Sequence, residues 1–598
     1  MTRYLRFPLA LVSLIVLGIP SALQAQVALP APRGAGENLI VSSSGSVGGP
    51  FNGVNINSLV GAKRFYDAGY TGSHAVVTNI EAGLAWNGPK GHETLTNSTV
   101  NLYSPDPIFT GTQLGEVDRH ATWVSAAIAG NGSSAYQQGI AYGATLWSGA
   151  VATTWVGNPY KLSFDWSDDR AFLYPYLTAM QTGVGPNNRK TDVVNSSWGF
   201  GNPTGNDPYT ITLDGLARAN GTTVVLAAGN SGSGANTVIA PASGYNSIVA
   251  AALGADTDVS PYQTVTNFSS RGPQDYYDPN TGRTIAGVRA RVDISAPGQN
   301  LTLAYYGGAT GGNSGGTADG GVNSYSTQLA GTSFAAPIVA GAATLLDDVA
   351  YARFSNDPYA HDGRVIKVVL LNSAMKLAGW DNGQSIVNGV ITTTQGLDYA
   401  QGAGRLDLNA GYDQYVSGTT DLDGTGGGRI QKIGWDYGVV SANSFNDYLF
   451  DTSFHAGDLL TATLNWMVDR TYDSIDASGN LTGSDLEFTN LDLQIWSVLN
   501  GTASTLIAQS DSLYNNTEHL YFTLPSAGDY LLRVMWAGKM YDFQATPQTS
   551  EAYGVAWSVQ TTAGTPEPGT LGLAISLTLS LTGIGIRRLR RRKQGKTD

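Results

Sequence analysis

Two hydrophobic rhythms divide this chain. Over its first two thirds, short and mostly apolar runs recur at residues 74–80, 191–199, 221–230 and 246–252. Each has the length of a strand buried on both faces and leaves into a polar or glycine-containing turn. Segments with helical spacing lie between them. One is residues 57–68, stopped by Gly69; another is residues 118–130, where Val124, Ala127 and Ile128 share a face and Gly130 supplies the stop. Residues 331–341 run from a tight glycine turn into an apolar helix, with Pro337 expected in its first turn. Residues 364–374 also read as helical, and residues 299–326 as a glycine-rich surface excursion. Short buried strands alternating with helices predict an α/β domain over residues 57–412, with a mainly parallel sheet and helices on both faces.

From residue 421 to residue 560 the period changes to two. Leu460, Ala462, Leu464, Trp466 and Val468 alternate with polar neighbours, as do Leu491, Leu493 and Ile495. The same holds for Leu520, Phe522 and Leu524, for Tyr530, Leu532, Val534 and Trp536, and for Tyr553, Val555, Trp557 and Val559. Alternation in several strands predicts antiparallel sheets with one buried face, hence a β-sandwich of jelly-roll type whose aromatic residues form the core.

Composition narrows the function. A chain of 598 residues exceeds one ordinary core, so two domains plus tails are expected. A net charge of -13 excludes nucleic acid as a partner, and the absence of cysteine excludes disulfides and thiolate metal sites. Residues 1–25 are basic, then apolar, then small, the pattern of a cleaved export signal, and 26–56 form a Gly/Ser/Pro-rich leader. At the other end, Pro566-Glu567-Pro568 precedes an apolar run over 569–586 and a cluster from Arg587 to Lys593. Residues 563–598 therefore resemble the PEP-CTERM sorting signal of Gram-negative bacteria. That resemblance implies an exosortase-type sorting enzyme as partner, transient anchoring in the inner membrane, and a cell-surface, extracellular or exopolysaccharide-associated destination.

The candidate chemistry sits at strand ends and helix starts. Glu81 closes the first buried run beside Ala82-Gly83, His120 opens a helix, Asn230 ends the run 221–230, and Ser333 stands at the helix start where free N–H groups favour negative charge. Alone, each has a plain structural role: a loop acid, a helix-start histidine, a turn amide, a cap. Together they supply what acyl transfer needs: a nucleophile, a base, a carboxylate to orient the base, and an oxyanion donor.

In that order, with Gly331-Thr332-Ser333-Phe334-Ala335-Ala336-Pro337, His120-Ala121-Thr122-Trp123-Val124, Ala227-Ala228-Gly229-Asn230 and Asn195-Ser196-Ser197-Trp198-Gly199, the domain resembles the subtilisin-like serine protease family. The resemblance implies Ser333 as nucleophile, His120 as base and then acid, and Asn230 as oxyanion donor beside the Ser333 N–H. It implies that Ser197, Trp198 and Gly199 pair with an extended polypeptide substrate and, with Ala228 and Gly229, wall the pocket for the residue before the scissile bond. Four departures stand out: Glu81 replaces the family's Asp, Ala121 and Trp123 replace Gly and His, and Trp198 replaces a smaller apolar residue. No cofactor is required for this chemistry; structural calcium is possible, with no ligands assigned. Asp469, Asp473, Asp476 and Asp485 lie on one expected loop, which reads as a solvated acidic loop in preference to a calcium site. The competing expectation is a pseudoprotease of the same fold that binds at the cell surface.

Overall fold

The computed structural model describes residues 53–561 apart from 89, 99, 133–137, 157–162, 256–259, 314–320 and 420–421. The segments expected to be an export signal and a sorting signal, at 1–25 and 563–598, and most of the expected leader lie outside the described residues.

Seven parallel strands form the first sheet: β1 (Val76–Glu81), β2 (Val100–Leu102), β3 (Thr145–Ala150), β4 (Val193–Ser196), β5 (Thr223–Ala227), β6 (Ile248–Gly254) and β7 (Ile294–Pro297). Their order is β7-β6-β5-β4-β1-β3-β2, with the short strand Thr264–Val265 added antiparallel to β6. The chain begins in the middle, at β1, fills one side, then crosses to β4 and fills the other. The β1/β4 boundary is thus the point where strand order reverses, and open α/β sheets place their sites beyond the carboxyl ends of the strands there.

Helices α1 (Arg119–Ala129), α3 (Thr332–Arg353) and α4 (Gly363–Asn372) cover one face, sharing a core with Val77, Leu146, Val193, Val225 and Ile248. Helix α2 (Pro208–Asn220) and the helix Arg170–Leu177 cover the other, against Ile80, Trp147, Val194, Leu226 and Val249. Helix α3 is long and apolar enough to cross a membrane, yet the whole of that stretch is buried inside the domain. It is a core helix.

Local details differ from the sequence reading. Residues 57–68 form two short helices, Ile56–Leu59 and Lys63–Asp67, because Gly61 between them takes φ +83 and lies against Asn409. Helix α3 starts at Thr332, which puts Pro337 beyond the first turn, where its missing N–H leaves the Ser333 carbonyl without the usual helical donor. The excursion 299–326 is partly ordered: Leu301–Ala304 pairs with Tyr325–Leu329.

The second unit is a β-sandwich. One sheet orders β8 (Ser385–Val387), β9 (Val390–Thr393), β16 (Thr502–Ser510), β15 (Leu481–Leu499), β18 (Tyr530–Asp542), β12 (Phe445–Phe450) and β10 (Gly428–Ile430), with β14 (Asp469–Ile475) paired to β15. The other orders β11 (Ile433–Ser441), β19 (Ser550–Gln560), β13 (Leu459–Trp466) and β17 (Thr517–Thr523). Every alternating residue named above from Leu460 to Val559 lies in the core between them. The hairpin β8–β9 falls inside the span 57–412, yet β9 pairs with β16 and extends the sandwich sheet. Asp469, Asp473, Asp476 and Asp485 do not share a loop. They lie on or beside the β14–β15 hairpin, each with its own partner: Arg218, Ser484, Asn480 and Arg470. Among the described residues no group of three or more His, Asp or Glu side chains is arranged to hold a metal ion.

The two units share a polar seam. The buried Arg470 guanidinium reaches Asp214 on α2 at 3.0 Å and Asp485 at 2.8 Å, and Asn246 exchanges two hydrogen bonds with the Val468 backbone.

Candidate active site

Period-two alternation decides which side chains meet. On β1, Val77, Asn79 and Glu81 face the α1/α3 layer, while Val76 and Ile80 face the opposite core. On β4 and just beyond it, Val193, Asn195 and Ser197 face the same layer as Glu81, and Val194 and Trp198 face away.

Glu81 is 1% exposed, and its carboxylate is fully engaged: Oε2 lies 2.8 Å from His120 Nδ1, and Oε1 accepts the Ser197 N–H at 2.8 Å. The extra methylene of Glu over Asp is absorbed without loss of reach. His120 is fixed from its own helix as well. Asp118 caps α1, its Oδ2 accepting the His120 and Ala121 N–H groups at 3.0 and 3.2 Å. A Cβ on Gly83 would lie 2.7 Å from the Asp118 Cβ, so only glycine lets the turn after Glu81 approach this cap. Trp123 and Phe334 flank the imidazole, with ring centroids 6.3 and 6.2 Å away. Burial disfavours the charged form of His120, but the Glu81 charge and hydrogen bond outweigh it, so its pKa is raised above the usual 6.5.

Ser333 Oγ donates to the Ser197 carbonyl at 3.0 Å, and His120 Nε2 is buried with no hydrogen-bond partner among the described residues. Ser197 thus joins the elements: its N–H meets the carboxylate and its C=O the serine. Ser333 Oγ and His120 share no hydrogen bond in this state; in serine hydrolases such bonds commonly tighten only in the substrate complex. Asn230 accepts from the Thr332 N–H (2.9 Å) and Oγ1 (3.1 Å) through its carbonyl oxygen, and a Cβ on Gly331 would lie 3.5 Å from its amide nitrogen. The amide N–H groups therefore sit beside the turn that carries Ser333, the place an oxyanion donor must occupy. Gly229, at φ +106, also needs to be glycine, since a Cβ there would lie 3.0 Å from Ser270 Oγ.

The expected pocket walls need one correction. Trp198 does not face the site: its indole is 3% exposed, donates to the Ile80 carbonyl at 3.0 Å, and packs on Phe164 and Trp166 in the opposite core, as strand alternation after Ser197 requires. The Ile239 side chain lies between Gly199 and Gly229. Its Cδ1 lies 2.9 Å from a Cβ built on Gly199 and 3.4 Å from one built on Gly229. Ala228 is buried, its N–H bonded to Ala250. Sequence reading assigns Asp118, Ile239, Asn79 and Asn195 no individual role, although Asp118 and Asn195 lie within stretches it singles out. The cap signal at Asp118 and the polar interruptions of β1 and β4 were visible; the approach of Ile239 to two distant glycines was not.

A buried serine, a histidine held by a carboxylate and an amide beside the serine's turn thus meet at the carboxyl ends of an α/β sheet, a set of groups suited to serine hydrolase chemistry. The model of the subtilase family, peptidase S8, matches residues 72–404, and the chain belongs to that family. It is a serine-type peptidase. Among solved structures it is similar to proteases from Pseudoalteromonas arctica PAMC 21717, at 19% identity over 60% of this chain and 94% of that chain, with a TM-score of 0.40.

Proposed function

We propose that this peptidase is an exported endopeptidase that cleaves polypeptides through an acyl-enzyme, with Ser333 as nucleophile, His120 as base and then acid, and Glu81 as the orienting carboxylate. The observation that carries the reading is the 2.8 Å contact of Glu81 with His120 Nδ1, made by a buried carboxylate that Ser197 holds from behind. A bond at Nδ1 fixes the tautomer that leaves Nε2 free to take the serine proton, and the carboxylate stabilises the imidazolium that forms. Asn230 and the Ser333 N–H receive the oxyanion. No cofactor enters these steps. The PEP-CTERM-like end and the basic, apolar start support sorting through the inner membrane to the cell surface by an exosortase-type enzyme.

A fluorophosphonate probe tests the reading on the purified protein. Labelling of the wild type that vanishes in Ser333→Ala is the expected result. Folded protein that stays unlabelled would support the second reading, a binding pseudoprotease, which is favoured by one observation: Ser333 Oγ donates to Ser197 rather than to His120.

Two further expectations arise from the site. Catalysis needs neutral His120, and its pKa is raised, so kcat/KM should climb on an acid limb whose midpoint lies above pH 6.5; a midpoint below 6.5 would contradict the Glu81–His120 pairing. Ile239 lies between Gly199 and Gly229, so the residue before the scissile bond should be small. Ile239→Ala is expected to raise the kcat/KM ratio of Phe over Ala substrates by about 10–200-fold, measured with paired peptides.

A further inference from the structure

Behind the proposed triad lies a second polar layer. Asn79, Asn195 and Ser125 are all fully buried. The Asn79 amide nitrogen donates to Ser125 Oγ at 2.9 Å and to the Ala121 carbonyl at 3.4 Å. Its amide oxygen accepts from Asn195 Nδ2 at 3.0 Å, and the same Asn195 nitrogen reaches Ser197 Oγ at 3.1 Å. Each residue shares an element with a working group. Asn79 precedes Glu81 on the same face of β1, Asn195 precedes Ser197 at the end of β4, and Ser125 lies on α1 beyond His120.

Stability alone gives no reason for amides here. Valine or isoleucine would fill two strand interiors at no desolvation cost, whereas a buried amide is costly unless bonded. The Asn195 amide oxygen is buried without a hydrogen-bond partner among the described residues. What bonded amides add is direction: each link sets the distance between two elements that apolar packing would leave free to slide.

We propose that Asn79, Asn195 and Ser125 are positioning residues, a chain of hydrogen bonds that locks β1, β4 and α1 together so that Glu81, Ser197 and His120 keep their bonded geometry. The proposal rests on the catalytic reading above and deepens it. None of the three touches substrate or reacting atoms; they act through Glu81, His120 and Ser197.

The test uses the purified protein and Asn79→Leu, which removes the central links at similar volume. The first readout is the His120 titration followed by NMR. The charged groups facing His120 are Glu81, Asp118 and Arg119, and none of them changes in the variant. If the Glu81 contact loosens while burial persists, the His120 midpoint falls by about one pH unit. The second readout is turnover. Misplacement on the scale of 1 Å should lower kcat by about 100-fold while KM stays near the wild-type value. Asn79→Leu with Asn195→Leu should cost less than the two single losses combined, because both break one chain.

An unshifted His120 midpoint in folded Asn79→Leu overturns the proposal. Should that variant fail to fold, Ser125→Ala removes a single oxygen from the same chain and is read identically. The titration needs no turnover, so a protein that ignores fluorophosphonate defeats the protease reading while its His120 midpoint still tests the hydrogen-bond chain.

Discussion

Glu81→Gln is expected to lower kcat by about ten-thousand-fold, against about a million-fold for Ser333→Ala. The graded loss follows from the two bonds of the Glu81 carboxylate. Oε1 accepts the Ser197 N–H, a donor that only an oxygen can satisfy, so a glutamine must place its carbonyl there. Its NH2 then faces His120 Nδ1, where Oε2 had accepted the Nδ1–H hydrogen bond. The imidazole is driven into the tautomer protonated on Nε2 and can no longer take the serine proton. Fold and oxyanion site persist, so residual activity remains. The double variant should be no slower than Ser333→Ala alone, since both residues serve one step. Single-turnover kinetics with an ester substrate check all three variants, and a Glu81→Gln enzyme within tenfold of wild type would remove Glu81 from the mechanism.

The second large effect is on stability. Arg470→Ala is expected to cost about 3–5 kcal/mol, because it strands the buried Asp214 carboxylate and the half-buried Asp485 carboxylate. Arg470 lies at the seam of the two units, bonded to Asp214 at 3.0 Å, Asp485 at 2.8 Å and the Gly205 carbonyl at 2.8 Å, with Tyr245 stacked 4.7 Å from its guanidinium. Asp214 keeps its bonds to the Tyr245 and Asn246 N–H groups and holds its place, but its charge loses the partner that offsets desolvation. The exposed pair Arg64–Asp413, 2.9 Å apart, is the control: Arg64→Ala should change stability by about 0–1 kcal/mol. Urea denaturation of both variants measures the difference. Equal midpoints would mean that the seam contributes little to holding the two units together. A corollary is that the peptidase domain cut before residue 421 should be insoluble, having lost the partners of α2 and α4.

Much of this protein was legible in its residues because the signals are local. Alternation from Leu460 to Val559 predicted the buried faces of five sandwich strands, since pleating alone sends successive side chains to opposite sides. Buried apolar runs predicted the parallel sheet, and the turn before Ser333, the helix start at His120 and the strand end at Glu81 marked the candidate site. Local signals also misled where context overrode them. Pro337 lies past the first turn because helix α3 begins at Thr332, and Trp198 turns into the core because Ser197 must face Glu81.

The sequence by itself determined the two fold classes and marked the candidate side chains, because propensity, period and capping act within a few residues. Only the tertiary structure decided what these groups do to one another. Glu81 reaches His120 because β1 ends beside α1, and Ile239 lies between Gly199 and Gly229 because two loops converge there. The hairpin at 385–393 joins the sandwich, and Arg470 closes the seam with Asp214, 256 residues away. Contacts of that kind depend on the closure of long loops. No window of neighbouring residues contains the distance between the two partners.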